Sequence, residues 1–406
     1  MKIWLINNYN MLPEHGHLNR NYYLAKYLKR LGHEPVVFVG SHPHNTDLQL
    51  IEGKEKFKLY QKDPFPWILV KTRNYEGSKF SRVLSMFEFY FNLFFATKSL
   101  DKPDAIIGST AHPLASLAAI QLAKLYKCQG IVEVRDLWPE SIVSFGIAKR
   151  NNPIIKLMYK FEKYLYMSAD KIIFTMEDAY KYLIEIGLDK IIDKDKVFYL
   201  NNGVDLEDYN HNLSLYNLDD SDLNDKDIFK VIYAGSIREA NNVGLLLDVA
   251  KVLEDSSLKI LIWGTGDELD HLKNRLINEN ITNVIFKGFV DKKYIPSITS
   301  KADLNIIHLP SSPVLKYGLS ANKLFDYAAS GKPILTDFSS GKNPATEYNA
   351  GISVDGSNIH NVANGILKFK NMSFSEYETY CNNATKLAND YSFASLSQKL
   401  IDIIES

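Results

Sequence analysis

Tyr317-Gly-Leu-Ser-Ala-Asn-Lys-Leu-Phe-Asp-Tyr-Ala-Ala-Ser-Gly-Lys-Pro-Ile-Leu335 reads as a loop of small residues, then a helix, then a strand. Unpaired N–H groups and the positive end of a helix dipole meet at that junction, which makes it an anion site by construction. Gly318, Leu319, Ser320 and Ala321 form the approach, with three small residues that let a ligand come close to the main chain, and Asn322 opens the helix. Lys323 adds a point charge. Asp326 follows one helical turn later, where its carboxylate can take the vicinal hydroxyls of a ribose. Diphosphate and ribose together point to a nucleotide-activated ligand.

Working outward, the second half of the chain repeats a strand-loop-helix-strand unit: strand Phe229 to Ala234, loop Gly235 to Asn242, helix Val243 to Leu253, strand Lys259 to Trp263. Further strands are expected at Val284 to Phe286, Leu304 to His308 and Pro333 to Thr336, with helices from there to Ser406. Gly264-Thr-Gly266 ahead of a helix reads either as a phosphate loop or as a tight turn. The first half opens in the same way, with strand Ile3 to Asn7, loop Asn8 to Leu18 carrying Gly16, helix Asn19 to Leu31 stopped by Gly32, and strand Val36 to Gly40. Strands at Asp104 to Ser109, Ile131 to Val134, Lys171 to Thr175 and Val197 to Leu200 follow, with helices at Leu114 to Leu125 and Ile154 to Ala169. The expectation is an α/β protein of two domains, 1–205 and 228–387. Residues 206–227 are acidic and without periodicity and read as the linker, and a last helix at about 388–406 packs back on the first domain.

With 406 residues, 46% hydrophobic and 12% aromatic, the chain can build two cores. Its 47 basic and 48 acidic residues leave a formal charge of -1, so no global field recruits nucleic acid or an anionic membrane. The two cysteines, Cys128 and Cys381, lie far apart and read as inert core thiols, not a disulfide or a zinc site. Asp220-Ser-Asp222 has the form of a metal-binding DxD but sits in the acidic linker, so no metal is expected there. No apolar run reaches the ~20 residues that span a bilayer. The first strand is too short for a signal peptide, which suggests a cytoplasmic protein.

Other stretches carry candidate chemistry. His112 ends a strand at the edge where such sheets hold their ligands, and Arg135-Asp-Leu-Trp-Pro-Glu-Ser141 ends the next. Basic residues from Lys54 to Arg82 run into Phe87, Phe89, Tyr90, Phe91, Phe94 and Phe95, a pattern that suits either a membrane-facing helix or a buried one.

Taken in order, the early Gly loop, Gly32-His-Glu34, Asn202-Gly-Val-Asp205, Gly264-Thr-Gly266 and Asn322-Lys-Leu-Phe-Asp-Tyr-Ala-Ala-Ser-Gly-Lys-Pro333 resemble the GT-B retaining glycosyltransferases of glycosyltransferase family 4. The Arg135 to Ser141 element resembles the O-antigen and capsule branch that includes N-acetyl-L-fucosamine transferases. The resemblance implies two Rossmann-like domains whose parallel sheets face across a cleft. It also implies retaining, metal-independent transfer of an N-acetylated amino sugar from a UDP-sugar to a polyprenyl-diphosphate-linked glycan, by an enzyme peripheral to the cytoplasmic membrane face and needing no cofactor.

His112, Arg135 and Asp136 would orient sugar and acceptor, with Glu140, Phe91 and Phe94 at the acceptor and residues 71–98 against lipid. The donor would contact Gly16, Arg238, Gly264, Gly266, Val290, Gly318, Leu319, Ser320, Asn322, Lys323 and Asp326. Of the family's two acids, which have seven residues between them, Asp326 stands for the second and Gly318 for the first. Ser236 and Asn241 replace its Arg and Lys, leaving Arg238 and Lys323 to neutralise the diphosphate. The competing readings are a nucleotide-sugar 2-epimerase of the same architecture and a non-catalytic nucleotide-sugar-binding subunit. A dinucleotide dehydrogenase fits less well, because no full Gly-x-Gly-x-x-Gly follows either first strand.

Overall fold

The structure is a computed structural model that describes every residue except His17, Leu18, Asn45, Glu254, Ser256 and Ser311, so the end of the expected loop Asn8 to Leu18 lies outside the described residues. The chain forms two compact units, one of Met1–Asn201 with Phe393–Ser406, the other of Asn202–Ser392.

The first unit holds β1 (Lys2–Ile6), β2 (Glu34–Gly40), β3 (Phe57–Tyr60), β4 (Trp67–Val70), β5 (Ala105–Ser109), β6 (Gln129–Val134), β7 (Lys171–Phe174) and β8 (Val197–Tyr199). They line up as β3-β4-β2-β1-β5-β6-β7-β8. Its helices are α1 (Arg20–Arg30), α2 (Lys79–Ala96), α3 (Pro113–Tyr126), α4 (Glu140–Ser144), α5 (Pro153–Ser168) and α6 (Tyr180–Glu185). Central strands such as β1 and β5 are near-continuous apolar runs because helices cover both faces, as a parallel sheet requires. Helices α2 and α3 bury Phe89, Leu93, Ala115 and Leu122 against Trp4, Phe38 and Ile106. Strands β3 and β4 lie within a stretch expected to be only a basic lead-in to the aromatic helix. β3 also pairs antiparallel with β4, so this sheet is mixed at one edge and not wholly parallel.

The second unit begins with α7 (Leu206–Leu215) and α8 (Ser221–Asn224), followed by β9 (Phe229–Ala234), α9 (Gly244–Val252), β10 (Leu258–Trp263), α10 (Leu269–Asn278), β11 (Val284–Gly288), α11 (Ile295–Ser300) and β12 (Leu304–Ile307). Then come α12 (Asn322–Ala329), β13 (Ile334–Thr336), α13 (Pro344–Glu347), β14 (Gly351–Ser353), α14 (Ile359–Asn371) and α15 (Phe374–Asp390). Its six strands are parallel, in the order β11-β10-β9-β12-β13-β14.

Residues 206–227 therefore correct the linker expectation. Asp205 caps α7 by accepting from the Asp208 N–H at 2.8 Å, and the buried Tyr209 reaches Thr299 Oγ1 at 3.1 Å. Charge had masked a helix that buries Tyr209 and leaves Leu213 and Leu215 outside. The final helix, α16 (Phe393–Glu405), joins the first unit: Phe393 stacks on Tyr23 at 5.0 Å, and the Lys171 ammonium meets the Ile404 carbonyl at 3.2 Å. A cation at a helix C-terminus satisfies orphan carbonyls and is favoured by the helix dipole. Cys128 and Cys381 are free and half-buried, not core thiols.

Candidate functional site

Numbered from its own first strand, the second unit's sheet has the order 3-2-1-4-5-6, which reverses direction between β9 and β12. Connections leave that point toward opposite faces, and the loops open a crevice at the carboxyl ends of the strands. The loops after β9, β10 and β12 and the start of α12 meet there.

The loop after β9 is held main chain to main chain. Ile237 N–H donates to the Thr265 carbonyl at 2.9 Å, and Gly235 N–H to the Trp263 carbonyl at 2.9 Å. A Cβ on Gly264 would stand 1.8 Å from the Gly235 oxygen, and one on Gly266 would stand 2.0 Å from the Ile237 oxygen. The close approach that these glycines permit is thus between two loops. Ser236 and Asn241, which replace the expected Arg and Lys, bond to each other at 2.6 Å through Asn241 Nδ2 and Ser236 Oγ. Arg238 is exposed on that loop, and its side chain makes no hydrogen bond or ion pair among the described residues.

The opening stretch takes the expected form. Gly318 has φ 113°, in the region that disfavours side chains, and its N–H closes the preceding 3-10 turn on Leu315. Leu319 N–H bonds the Lys342 carbonyl at 2.9 Å, and Ser320 is held by Asn202 Nδ2 at 2.8 Å through its carbonyl and 3.1 Å through its hydroxyl. Helix α12 then starts at Asn322 with Ala321 at its cap, a residue with no side-chain oxygen to offer. Its N-terminus is left open to a ligand.

Lys323 projects from the first turn toward the switch point. Its Nζ lies 4.3 Å from the Tyr233 ring centroid and close over Gly235, where a Cβ would be 2.6 Å away. Among the described residues no carboxylate bonds to it. Burial lowers its pKa to about 8, although Asp337 pulls the other way. Asp326, half-buried and without a hydrogen-bond partner among the described residues, is pushed up by desolvation while Lys292 opposes the shift. An ammonium and a carboxylate, each shifted toward its neutral form, both gain from a ligand that supplies phosphate to one and hydroxyls to the other.

His308 is a member of this site that the sequence reading passed over as a strand end. It is buried, with Nδ1 2.5 Å from Asp337 Oδ2 and Nε2 2.8 Å from the carbonyl of Asn242, whose φ is 48°. The pair ties the ends of β12 and β13 to the loop after β9. A histidine one residue past an apolar strand was the only signal. Val290, expected at the base, lies beside a turn fixed by the Gly264 N–H on the Gly288 carbonyl at 2.8 Å. The Asp220-Ser-Asp222 carboxylates are both held by Lys287, at 2.7 and 2.6 Å, and Asp222 also by Lys259 at 2.8 Å. That DxD is an ion-pair clasp, and no group of three potential ligands stands among the described residues.

In the first unit the order reverses between β1 and β5, and the expected residues fall around that edge. His112 caps α3, accepting from the Ala115 N–H through Nδ1 at 3.0 Å. A neutral ring with Nδ1 as acceptor carries its proton on Nε2, which is buried and unpaired. Desolvation between Tyr9 and Phe89 lowers the pKa to about 3, so His112 is a hydrogen-bond donor and not a base. Thr110 Oγ1 accepts from Arg135 N–H at 3.3 Å, which sets Arg135 and the exposed Asp136 at the neighbouring strand end. The buried Glu133 is held low despite burial, by Arg20 at 2.9 Å and by Arg135.

Two acceptor expectations, Glu140 and Phe94, and one donor expectation, Gly16, need correction. Glu140 is buried and bonded by Arg150 and by the Tyr159 hydroxyl, so it serves a structural network. Phe94 packs inward against Tyr90 and the core cluster, whereas Phe91 is outward at 59% exposure. A Cβ on Gly16 would meet the Met11 side chain at 2.4 Å, so that glycine gives room to Met11.

Residues 16–208 match the model of Glycosyltransferase Family 4, and residues 217–387 match that of Glycosyl transferases group 1. The chain belongs to the GT-B glycosyltransferases of family 4. Solved structures similar to this glycosyltransferase over 100% of its length include sucrose-phosphate synthase from Thermosynechococcus elongatus, with TM-score 0.72, 15% identity and 98% of that chain covered. They also include OtsA, at 0.75, 11% and 99%, and Anabaena HepE in complex with UDP and glucose, at 0.65, 13% and 99%. At such identities they speak for the fold. No curated protein matches the sequence.

Proposed function

We propose that this glycosyltransferase moves a sugar from a UDP-sugar to a polyprenyl-diphosphate-linked glycan, with retention of anomeric configuration and without a metal. The observation that carries the donor half is the open start of α12, with Lys323 in its first turn and Asp326 one turn on, at the switch point of the sheet. The diphosphate lies against the α12 N–H groups and Lys323, with Arg238 as a second cation on the neighbouring loop. Asp326 accepts from the ribose hydroxyls. These positive groups stabilise the leaving diphosphate where charge develops, which is the largest contribution a protein makes to such a step. No protein nucleophile takes part: the departing phosphate accepts the acceptor's proton, while His112 donates through Nε2–H and Arg135 and Asp136 orient the sugar. Similarity to a structure in complex with UDP and glucose favours uracil as the base.

An N-acetylated amino sugar and a place in O-antigen or capsule assembly follow from the likeness of Arg135 to Ser141 to that branch. For lipid contact, support comes from α2, where Phe80, Phe87, Phe91 and Phe95 are exposed along one stripe and the Lys56 ammonium lies 3.2 Å from the Phe95 ring centroid. Aromatic and basic groups mixed on a helix face suit the inner surface of a membrane. No helix among the described residues is long and apolar enough to cross one.

The test is incubation with a panel of UDP-sugars and an isoprenyl-diphosphate-linked acceptor, with the product anomer read by NMR. Transfer from an α-linked donor should give an α-linked product. Conversion of the donor with no acceptor present would replace this reading with an epimerase.

A further inference from the structure

The carboxyl edge of the first unit's sheet gathers polar groups that the donor chemistry does not use. Asn8 Oδ1, Asn10 Nδ2, His42 Nε2 and Thr72 Oγ1 are all buried and make no hydrogen bond. They follow β1, β2 and β4, three neighbouring strands on one side of the switch point. Buried polar atoms are normally paired, so four of them on one edge mark a place shaped for a polar ligand.

Arg82 gives that edge its sign. It belongs to the first turn of the eighteen-residue helix α2, where a cation opposes the helix dipole. Its Nε donates to the Tyr9 hydroxyl at 3.2 Å, and the guanidinium lies over the Tyr9 and Tyr75 rings at 5.2 and 5.9 Å. No carboxylate closes the charge among the described residues. Glu88 is taken by Arg73 at 2.6 Å, and the exposed Glu76 comes nearest to His42 Nε2, at 3.8 Å. His44 Nδ1 meets the Tyr75 hydroxyl at 3.0 Å and its ring lies 5.2 Å from Tyr9, while His42 lies edge-on to Tyr75 at 4.7 Å. A guanidinium, two imidazoles and two phenols are thus held in mutual contact.

We infer that Arg82, with His42, His44, Tyr9 and Tyr75, binds a phosphate carried by the acceptor, either a monoester or a diphosphate. A guanidinium meets phosphate through two parallel bonds, and the phenol rings already hold its plane. The inference rests on the glycosyltransferase reading but concerns the first unit alone. It says that the acceptor is recognised by its phosphate as well as its sugar.

The experiment is calorimetric titration of UDP-saturated protein with inorganic pyrophosphate, glucose 6-phosphate and a short isoprenyl diphosphate, for wild type, Arg82→Gln and His44→Gln. UDP affinity is measured on each variant as the control. At least one phosphorylated probe should bind the wild type and lose about tenfold or more in Arg82→Gln, with UDP affinity and melting temperature unchanged. Which probe responds separates a sugar phosphate from a lipid diphosphate. Equal binding of every probe by wild type and Arg82→Gln, or none by the wild type, overturns the inference. Failure of the wild type to bind UDP would instead count against the donor reading.

Discussion

Asp326 and Lys323 give the sharpest expectations at the residue scale. Removing a charge-assisted bond to ribose should cost roughly 1.5–3 kcal/mol, so Asp326→Ala should bind UDP about 10- to 100-fold more weakly by calorimetry. Unchanged affinity would remove the ribose assignment. Lys323 has a pKa near 8 in the free protein, and phosphate contact favours its charged form. UDP affinity should therefore be full below that value and fall as pH rises through about 8, and Lys323→Met should abolish the fall. A wild-type affinity that stays flat from pH 7 to 9 would sever Lys323 from the diphosphate. Asp326 works at the other limb: desolvation raises its carboxyl, so affinity should fall as acid neutralises it. His112, held near 3 by burial, contributes no limb between pH 5 and 9.

At the scale of elements, α2 divides into two faces. Phe89, Leu93 and Ala96 are buried, while Phe80, Val83, Phe87, Phe91 and Phe95 recur every three or four residues on the outside. Because the outer face makes no core contact, Phe87→Ser with Phe91→Ser should leave the melting temperature within a few degrees. The same pair should reduce flotation with anionic liposomes, and equal flotation would return the stripe to ordinary surface. Much of the helix and strand order was legible from apolar periodicity, and so was the open start of α12, since small residues ahead of a helix announce it. The two-faced character of α2 was not legible, because Phe94 and Phe95 are the same residue type and only the packing of β4 and α3 against the helix separates them. Strands β3 and β4 were obscured by flanking lysines, which a sheet edge tolerates because one side of it meets solvent.

Across the whole molecule, stability should carry a signature from Glu162. This buried carboxyl accepts from Tyr166 at 2.9 Å and from Tyr182 at 2.8 Å, and desolvation, opposed by those bonds, lifts its pKa from 4.5 to about 8. The raised value means that the folded state holds the proton more tightly. The stabilisation is complete below about pH 4.5 and is lost as pH rises toward 8, a change of order a few kcal/mol. Denaturation at pH 5, 7 and 9 should show the slope, and Glu162→Gln should flatten it. Deleting α16 should unfold the first unit selectively, because Leu400, Ile401 and Ile403 are buried in it. By itself the sequence determined the two α/β halves, the loop of small residues ahead of α12 and the residue types at that helix start, since periodicity and backbone permissiveness are local properties. Tertiary structure alone decided that Gly264 and Gly266 serve loop against loop, that Asp220 and Asp222 are held by lysines, and that Glu140 is structural. It alone brought His308 to Asp337 and Arg82 to Tyr9. Each of these depends on a partner distant in the chain, and partners are assigned only when the strands find their order.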